Sequence, residues 1–154
     1  MICKTLCVCL LLLFCTSALA ADTVLVTRVI GGDTIELATG EKVRYIGINT
    51  PEISGVDKMT QELGKKAKAY NEKLVLHKEV LLEFDVEERD KYGRLLAYVY
   101  TDEDGVFINA ALVKAGFATA SSYPPNVKHD EFFMTLENKA RQKGRGLWGR
   151  VLGP

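Results

Sequence analysis

An α+β fold is predicted by three features of this 154-residue sequence: five short runs of strand-like residues, a helical segment after the third run, and two more helical segments after the fifth. From Thr23 to Val29 the residues are rich in β-branching and mix polar with apolar. Gly31-Gly32 then offers a turn, and Asp33 to Ala38 alternates Ile35 and Leu37 with polar neighbours, which together signal a β-hairpin. Thr39-Gly40-Glu41 makes a second turn, and Val43 to Ile48 reads as a third strand, completing an antiparallel meander. Gln61 to Leu76 carries Leu63, Ala67, Tyr70 and Leu74 near helical spacing, with Lys65, Lys66, Lys68 and Lys73 on the other side, so an amphipathic helix is expected. Val80 to Val86 and Leu95 to Tyr100 supply the fourth and fifth strands. A short helix from Asn109 to Ala115 ends at Gly116, and a longer one runs from Asp130 to Lys143. This order fits a five-stranded OB-type β-barrel with about three helices; the pattern alone also admits an SH3-like barrel or a plain α+β sandwich.

The first twenty residues have the composition of a secretory signal. Lys4 lies in a short basic region, an apolar run extends from Leu6 to Phe14, and Ala18-Leu19-Ala20 offers small residues for cleavage after Ala20. About nine apolar residues fall short of the roughly 20 that span a bilayer, so stable membrane insertion is not expected. The expected location is therefore secreted or periplasmic, with one domain from residue 21 to residue 154. All four cysteines, Cys3, Cys7, Cys9 and Cys15, fall inside this leader, which excludes a disulfide or a zinc–cysteine site from the mature chain. Removal of Lys4 leaves 19 basic against 20 acidic residues. A polyphosphate partner must then be drawn by local clusters of Arg and Lys or by a bound cation, because net charge provides no attraction.

Several residues could carry chemistry. Period-two alternation puts Arg44 on one strand face with Ile46 and Ile48. It either snorkels from the exposed start of the strand or points into a cleft and grips a phosphate. Asp33 after Gly-Gly either closes a hairpin or ligates a cation. Pro51 prevents Asn49-Thr50-Pro51-Glu52 from extending the third strand, so these residues form a loop at the barrel mouth. Arg89-Asp90-Lys91-Tyr92-Gly93-Arg94 is a charged turn before the fifth strand. Tyr123-Pro124-Pro125 is either a rigid loop or a platform on which a base could stack.

In order and wording, Gly32-Asp33-Thr34, Arg44, Gly47 to Glu52 and Asp90 to Tyr100 resemble the staphylococcal nuclease family, and the similarity runs from about Val26 to Trp148. The resemblance selects the OB-type barrel and implies an exported, calcium-dependent nuclease. It would hydrolyse phosphodiester bonds of DNA or RNA with little sequence preference and leave 3′-phosphates. It further implies that Asp33, Asn49 and Thr50, the last through its backbone carbonyl, hold Ca2+. Arg44 and Arg94 would hold the scissile phosphate and Glu52 would act on the attacking water, while Lys91, Tyr92 and Tyr123 contact the nucleotide. His129 is implied to be structural, joined to Glu83 and Tyr100.

Two departures fall at the metal site. The family usually has Asp where this chain has Asn49, and often an Asp where it has Gly31, so a weaker calcium site is expected. Ser121 stands where the family tends to place one of two groove tyrosines. The expected partner is a DNA or RNA substrate and the expected state a monomer. The competing reading is a non-catalytic OB-type module, with a degraded metal site, that binds nucleic acid or protein.

Overall fold

The computed structural model of the protein describes residues 22–149; the expected leader lies outside the described residues. β1 (Val24–Val29), β2 (Thr34–Leu37) and β3 (Lys42–Tyr45) form the antiparallel meander read from the sequence. A two-residue strand, β4 (Ile48–Asn49), and the long helix α1 (Lys58–Val75) follow. Then come β5 (Glu79–Glu83) and β6 (Leu95–Thr101). β6 runs parallel to β3 and antiparallel to β5, and β5 returns to pair with β1, so the five strands close into a barrel in the order β1-β2-β3-β6-β5. A parallel β3–β6 pair requires a long crossover, and the segment carrying α1 and β5 provides it.

The remaining elements are α2 (Ile108–Lys114), the short β7 (Thr119–Ala120) paired with β4, α3 (Asp130–Gln142) and a single 3-10 turn at Gly146–Trp148. Alternate inward positions such as Val26, Ile35, Val43, Tyr45, Ala97 and Val99 are sealed from solvent. Each buried aliphatic side chain of this size contributes about 1.5–3 kcal/mol. No helix among the described residues is long and apolar enough to cross a membrane.

The structure differs from the sequence expectation at the third strand. Val43 to Ile48 is not continuous: β3 stops at Tyr45, and Gly47 takes φ +77° before β4 begins. A side chain at Gly47 would also meet the Phe133 ring, with its first carbon 2.5 Å from Cε2. The alternation that grouped Arg44 with Ile46 and Ile48 therefore fails at the bend. Val43 and Tyr45 point into the barrel and Arg44 points to the other side of β3. Asn109 of α2 staples the bend in place, donating to the Ile46 carbonyl at 2.9 Å while its Oδ1 accepts from the Val99 amide at 3.0 Å.

α1 begins three residues before the expected Gln61 because Asp57 caps it, accepting from the Thr60 amide at 2.9 Å and from the Thr60 hydroxyl at 2.6 Å. Its buried stripe is Gly64, Ala67, Asn71 and Val75; Leu63, Tyr70 and Leu74 flank it, half-buried. Asn71 is thus a polar residue on the core face of a helix, and both ends of its amide are used. Its Oδ1 accepts from the Tyr45 hydroxyl at 3.0 Å, and its Nδ2 donates to the Gly31 carbonyl at 3.1 Å. Burial pushes the Tyr45 hydroxyl far above its ordinary pKa, so it stays a proton donor. At the opposite end of the barrel, Glu83 accepts from Tyr100 at 3.0 Å and lies 3.2 Å from His129 Nε2, tying α3 to β5 and β6.

Tyr45→Phe keeps the ring but strands the Asn71 oxygen in the core. The expected outcome is a loss of about 1–3 kcal/mol of stability in urea denaturation. A change below about 0.5 kcal/mol would show that the hydroxyl is not the partner on which Asn71 depends.

Candidate phosphate-binding and metal-binding cleft

The Ile30 to Asp33 connection leads from β1 into β2 and delivers Asp33 to the end of the barrel. The bend at Gly47 then brings Asn49 to Glu52 back over it. Asp33 is the joint between the two. Its Oδ2 accepts from the Thr50 amide and the Thr50 hydroxyl, both at 3.0 Å, and its Oδ1 accepts from the Thr34 hydroxyl at 3.0 Å. Its side chain is only 10 % exposed. α1 closes the back of the loop: Gly64 lies so close that a side chain there would sit 2.7 Å from the Pro51 carbonyl oxygen. The result is a cleft of about 640 Å³ lined by Asp33, Lys42, Arg44, Thr50, Glu52 and Arg94, among others.

The two arginines are held differently. Arg44 Nη1 donates to the Tyr45 and Ile48 carbonyls at 2.9 and 3.0 Å, clamping the bend from outside. Its Nη2 donates to Asn49 Oδ1 at 3.0 Å and lies 3.3 Å from Asp33 Oδ2. Arg44 is therefore built into the scaffold and only 15 % exposed, with Nε as its uncommitted donor among the described residues. Arg94 is held by one end alone, Nε donating to Asp90 Oδ2 at 2.7 Å. Both of its terminal nitrogens lack hydrogen-bond partners among the described residues and present a fork that suits two phosphate oxygens.

Asp90 organises the turn that delivers Arg94. Its Oδ1 accepts from the Tyr92 and Arg94 amides at 2.9 and 3.1 Å, while its Oδ2 takes the guanidinium. Partial burial pushes its carboxyl up, but the hydrogen bonds from Arg94 and from the two amides outweigh this and hold its pKa below the ordinary aspartate value. A depressed pKa means that Asp90 is ionised at neutral pH and still grips Arg94 in mild acid, losing its hold only as pH falls through the lowered value. Asp90 was not singled out from the sequence; an aspartate four residues before an arginine in a turn was the available signal.

Glu52 is exposed, and its carboxylate has no hydrogen-bond partner among the described residues, as a group that handles water requires. Lys91, Tyr92 and Tyr123 line an adjoining hollow of about 510 Å³ that shares Arg44 and Arg94 with the cleft. Tyr92 and Tyr123 are open to solvent, and the Arg94 guanidinium lies 5.6 Å from the Tyr92 ring centre. The structure thus brings Asp33, Arg44, Thr50, Glu52 and Arg94 into one cleft and the other three beside it. Asn49 sits one step away, its amide oxygen turned to Arg44 rather than lining the cleft.

The donors here are all oxygen: the Asp33 and Glu52 carboxylates, Thr50 and the nearby Asn49 amide. That chemistry fits a hard cation such as calcium or magnesium rather than a soft one. Two carboxylates make a low-charge set, and among the described residues no group of three His, Cys, Asp or Glu side chains is arranged to hold a metal.

Known proteins resemble the chain over most of its length. A family model described as staphylococcal nuclease homologue matches residues 42–150. The chain is 39 % identical over 132 residues to a thermonuclease of Staphylococcus intermedius, covering 84 % of this chain and 77 % of that protein. It is 36 % identical over 126 residues to a thermonuclease of Staphylococcus hyicus, covering 80 % and 73 %. It is also 40 % identical over 128 residues to the endonuclease YncB of Bacillus subtilis, covering 80 % of this chain and 60 % of that protein.

The unequal anchoring of the arginines predicts unequal costs. Arg44→Gln should lower stability by about 3 kcal/mol in urea denaturation, because it leaves Asp33 buried without its cation and frees two backbone carbonyls. Arg94→Gln breaks a more exposed pair and should cost less than about 1 kcal/mol. Equal losses would contradict the division of labour drawn here.

Proposed function

The chain belongs to the staphylococcal nuclease homologue family, and on that ground we propose that it is an exported, calcium-dependent nuclease. It hydrolyses phosphodiester bonds in DNA and RNA with little sequence preference and leaves 3′-phosphates. The observation that carries this reading is the convergence of Arg44, Arg94, Glu52 and Asp33 on one cleft, from four separate segments of the chain. A cation held by Asp33 and the Thr50 carbonyl, and by the Asn49 amide oxygen once it turns from Arg44, would neutralise the phosphodiester and let it approach the two carboxylates.

The rest is the work of side chains. Arg94 offers its free fork to two phosphate oxygens, and Arg44 adds its remaining donor. Charge grows on these oxygens as phosphorus becomes five-coordinate, so both guanidiniums bind the transition state more strongly than the substrate. Glu52, unpaired and open, takes a proton from the attacking water as the water oxygen bonds to phosphorus, a contribution of about 10²- to 10⁴-fold. The bond from phosphorus to the 5′-oxygen breaks, and that oxygen leaves as the alcohol with a proton from solvent. Tyr92 and Tyr123 stack or hydrogen-bond with the nucleotide from the adjoining hollow. Contacts to phosphate and to ring faces carry little sequence information, which gives little sequence preference.

Nicking of plasmid DNA by the mature protein tests the reading. Cleavage is expected with calcium and is expected to vanish with chelator. Glu52→Gln should slow turnover about 10²-fold or more while leaving DNA binding nearly intact; a module that only binds would show no cleavage by the unaltered protein. Asn49→Asp adds a carboxylate to a low-charge donor set and should tighten calcium binding by roughly tenfold in calorimetry. An unchanged titration would remove Asn49 from the metal site.

A further inference from the structure

We propose that Lys42 forms a second phosphate subsite, one nucleotide along the substrate from the phosphate held by Arg44 and Arg94. The inference rests on the nuclease reading and extends it to the length of strand that the protein grips. Lys42 opens β3 and lines the same cleft as Arg44. The two residues are separated by Val43, so they share the outer face of the strand, and their Cα atoms lie about 7 Å apart. That separation is comparable to the step between neighbouring phosphates of an extended single strand.

Two further observations set Lys42 apart from an ordinary surface lysine. The residue opposite it in the β2–β3 register is Glu36, which would be its natural partner. Glu36 is already taken: Arg28 donates to its Oε2 at 2.5 Å, and that hydrogen bond leads the causes that lower the Glu36 pKa. Lys42 is thus left exposed and without a hydrogen bond or contact-distance ion pair among the described residues, acting on Glu36 only as a weaker and more distant charge, beside two guanidiniums whose charge it reinforces. Three cations lining one cleft, in a chain whose acidic and basic residues balance, make a track for more than one phosphate. A dinucleotide, with its single phosphodiester, fills the first position alone. A longer oligonucleotide fills both.

The test compares kcat/KM on a dinucleotide with that on a ten-residue oligothymidylate, for the unaltered protein, Lys42→Gln and Lys42→Arg. Lys66→Gln on the far face of α1 serves as a control for loss of one positive charge. Lys42→Gln is expected to reduce the preference for the oligonucleotide about threefold to tenfold, and Lys42→Arg to restore it. In the slowly cleaving Glu52→Gln background with calcium, oligothymidylate binding by fluorescence anisotropy, read before appreciable cleavage, should lose about 0.7 from the slope of log affinity against log salt when Lys42 is replaced. An oligonucleotide preference and salt slope unchanged by Lys42→Gln, or changed equally by Lys66→Gln, overturn the subsite while leaving the nuclease standing. An unaltered protein inactive on both substrates overturns the nuclease reading itself.

Discussion

The structure of the cleft depends on one buried ion pair, Asp33 with Arg44, at the crossing of the β1–β2 connection, β3 and the loop after β4. A carboxylate and a guanidinium this far from water each incur a large desolvation cost, and attraction between them does not reliably offset it. What makes the pair tolerable is that nearly every remaining donor and acceptor is used. Asp33 accepts from Thr34 and twice from Thr50, and Arg44 donates to two carbonyls and to Asn49. On the proposed reading the pair is both a fastening and a reagent. It pins the 49–52 loop over the barrel end, and it holds a carboxylate and a guanidinium where an incoming cation and phosphate would meet.

That double use explains why the surrounding polar core is so fully satisfied. Tyr45, Asn71 and the Gly31 carbonyl form a chain of hydrogen bonds from β3 through α1 to the connection that carries Asp33. Asn109 does the same for the bend at Ile46. Each of these residues restrains backbone rather than touching the cleft, and each links a helix to a segment that has no regular ladder of its own. Arg94 follows another logic. Its turn is organised by Asp90, with Arg89 donating to the Gly93 carbonyl at 2.9 Å, it is partly exposed, and its free fork gains adaptability at the expense of rigidity.

The barrel was legible because it rests on local rules: alternation in Asp33 to Ala38, the turn at Gly40, and the lysine-backed stripe from Gln61 to Leu76 all speak within a few residues. The bend at Gly47 was not legible. A glycine between two isoleucines reads as a weak point in a strand, and only the Phe133 ring packed against it, 86 residues away in sequence, shows that the chain must turn there. The face of Arg44 was misread for the same reason, since a period of two is valid only while the strand continues. The start of α1 was missed because Asp57 and Thr60 look like loop residues until their cap forms. Site membership was legible for Asp33, Arg44, Thr50, Glu52 and Arg94 because their neighbours carried the family wording. Asn71 acts through pairings across the fold, with Tyr45 and the Gly31 carbonyl, and those pairings are not written in any one segment.

A neutral globule that handles a polyanion poses an electrostatic problem, and the cleft shows where its solution lies. At physiological salt the Debye length is about 8 Å, so a phosphate inside the cleft responds to the charges that line it and hardly at all to acids on the far side of the barrel. The lining supplies Lys42, Arg44 and Arg94 against Asp33 and Glu52. One of those carboxylates is already matched by Arg44, and Asp90, the acid beside Arg94, is matched in turn. The residues that line the cleft thus carry one more cation than anion, whereas the chain as a whole balances. Steering over long range is weak in such a protein, and affinity must come from contact. A long strand that engages several phosphates at once gains far more from this arrangement than a short one.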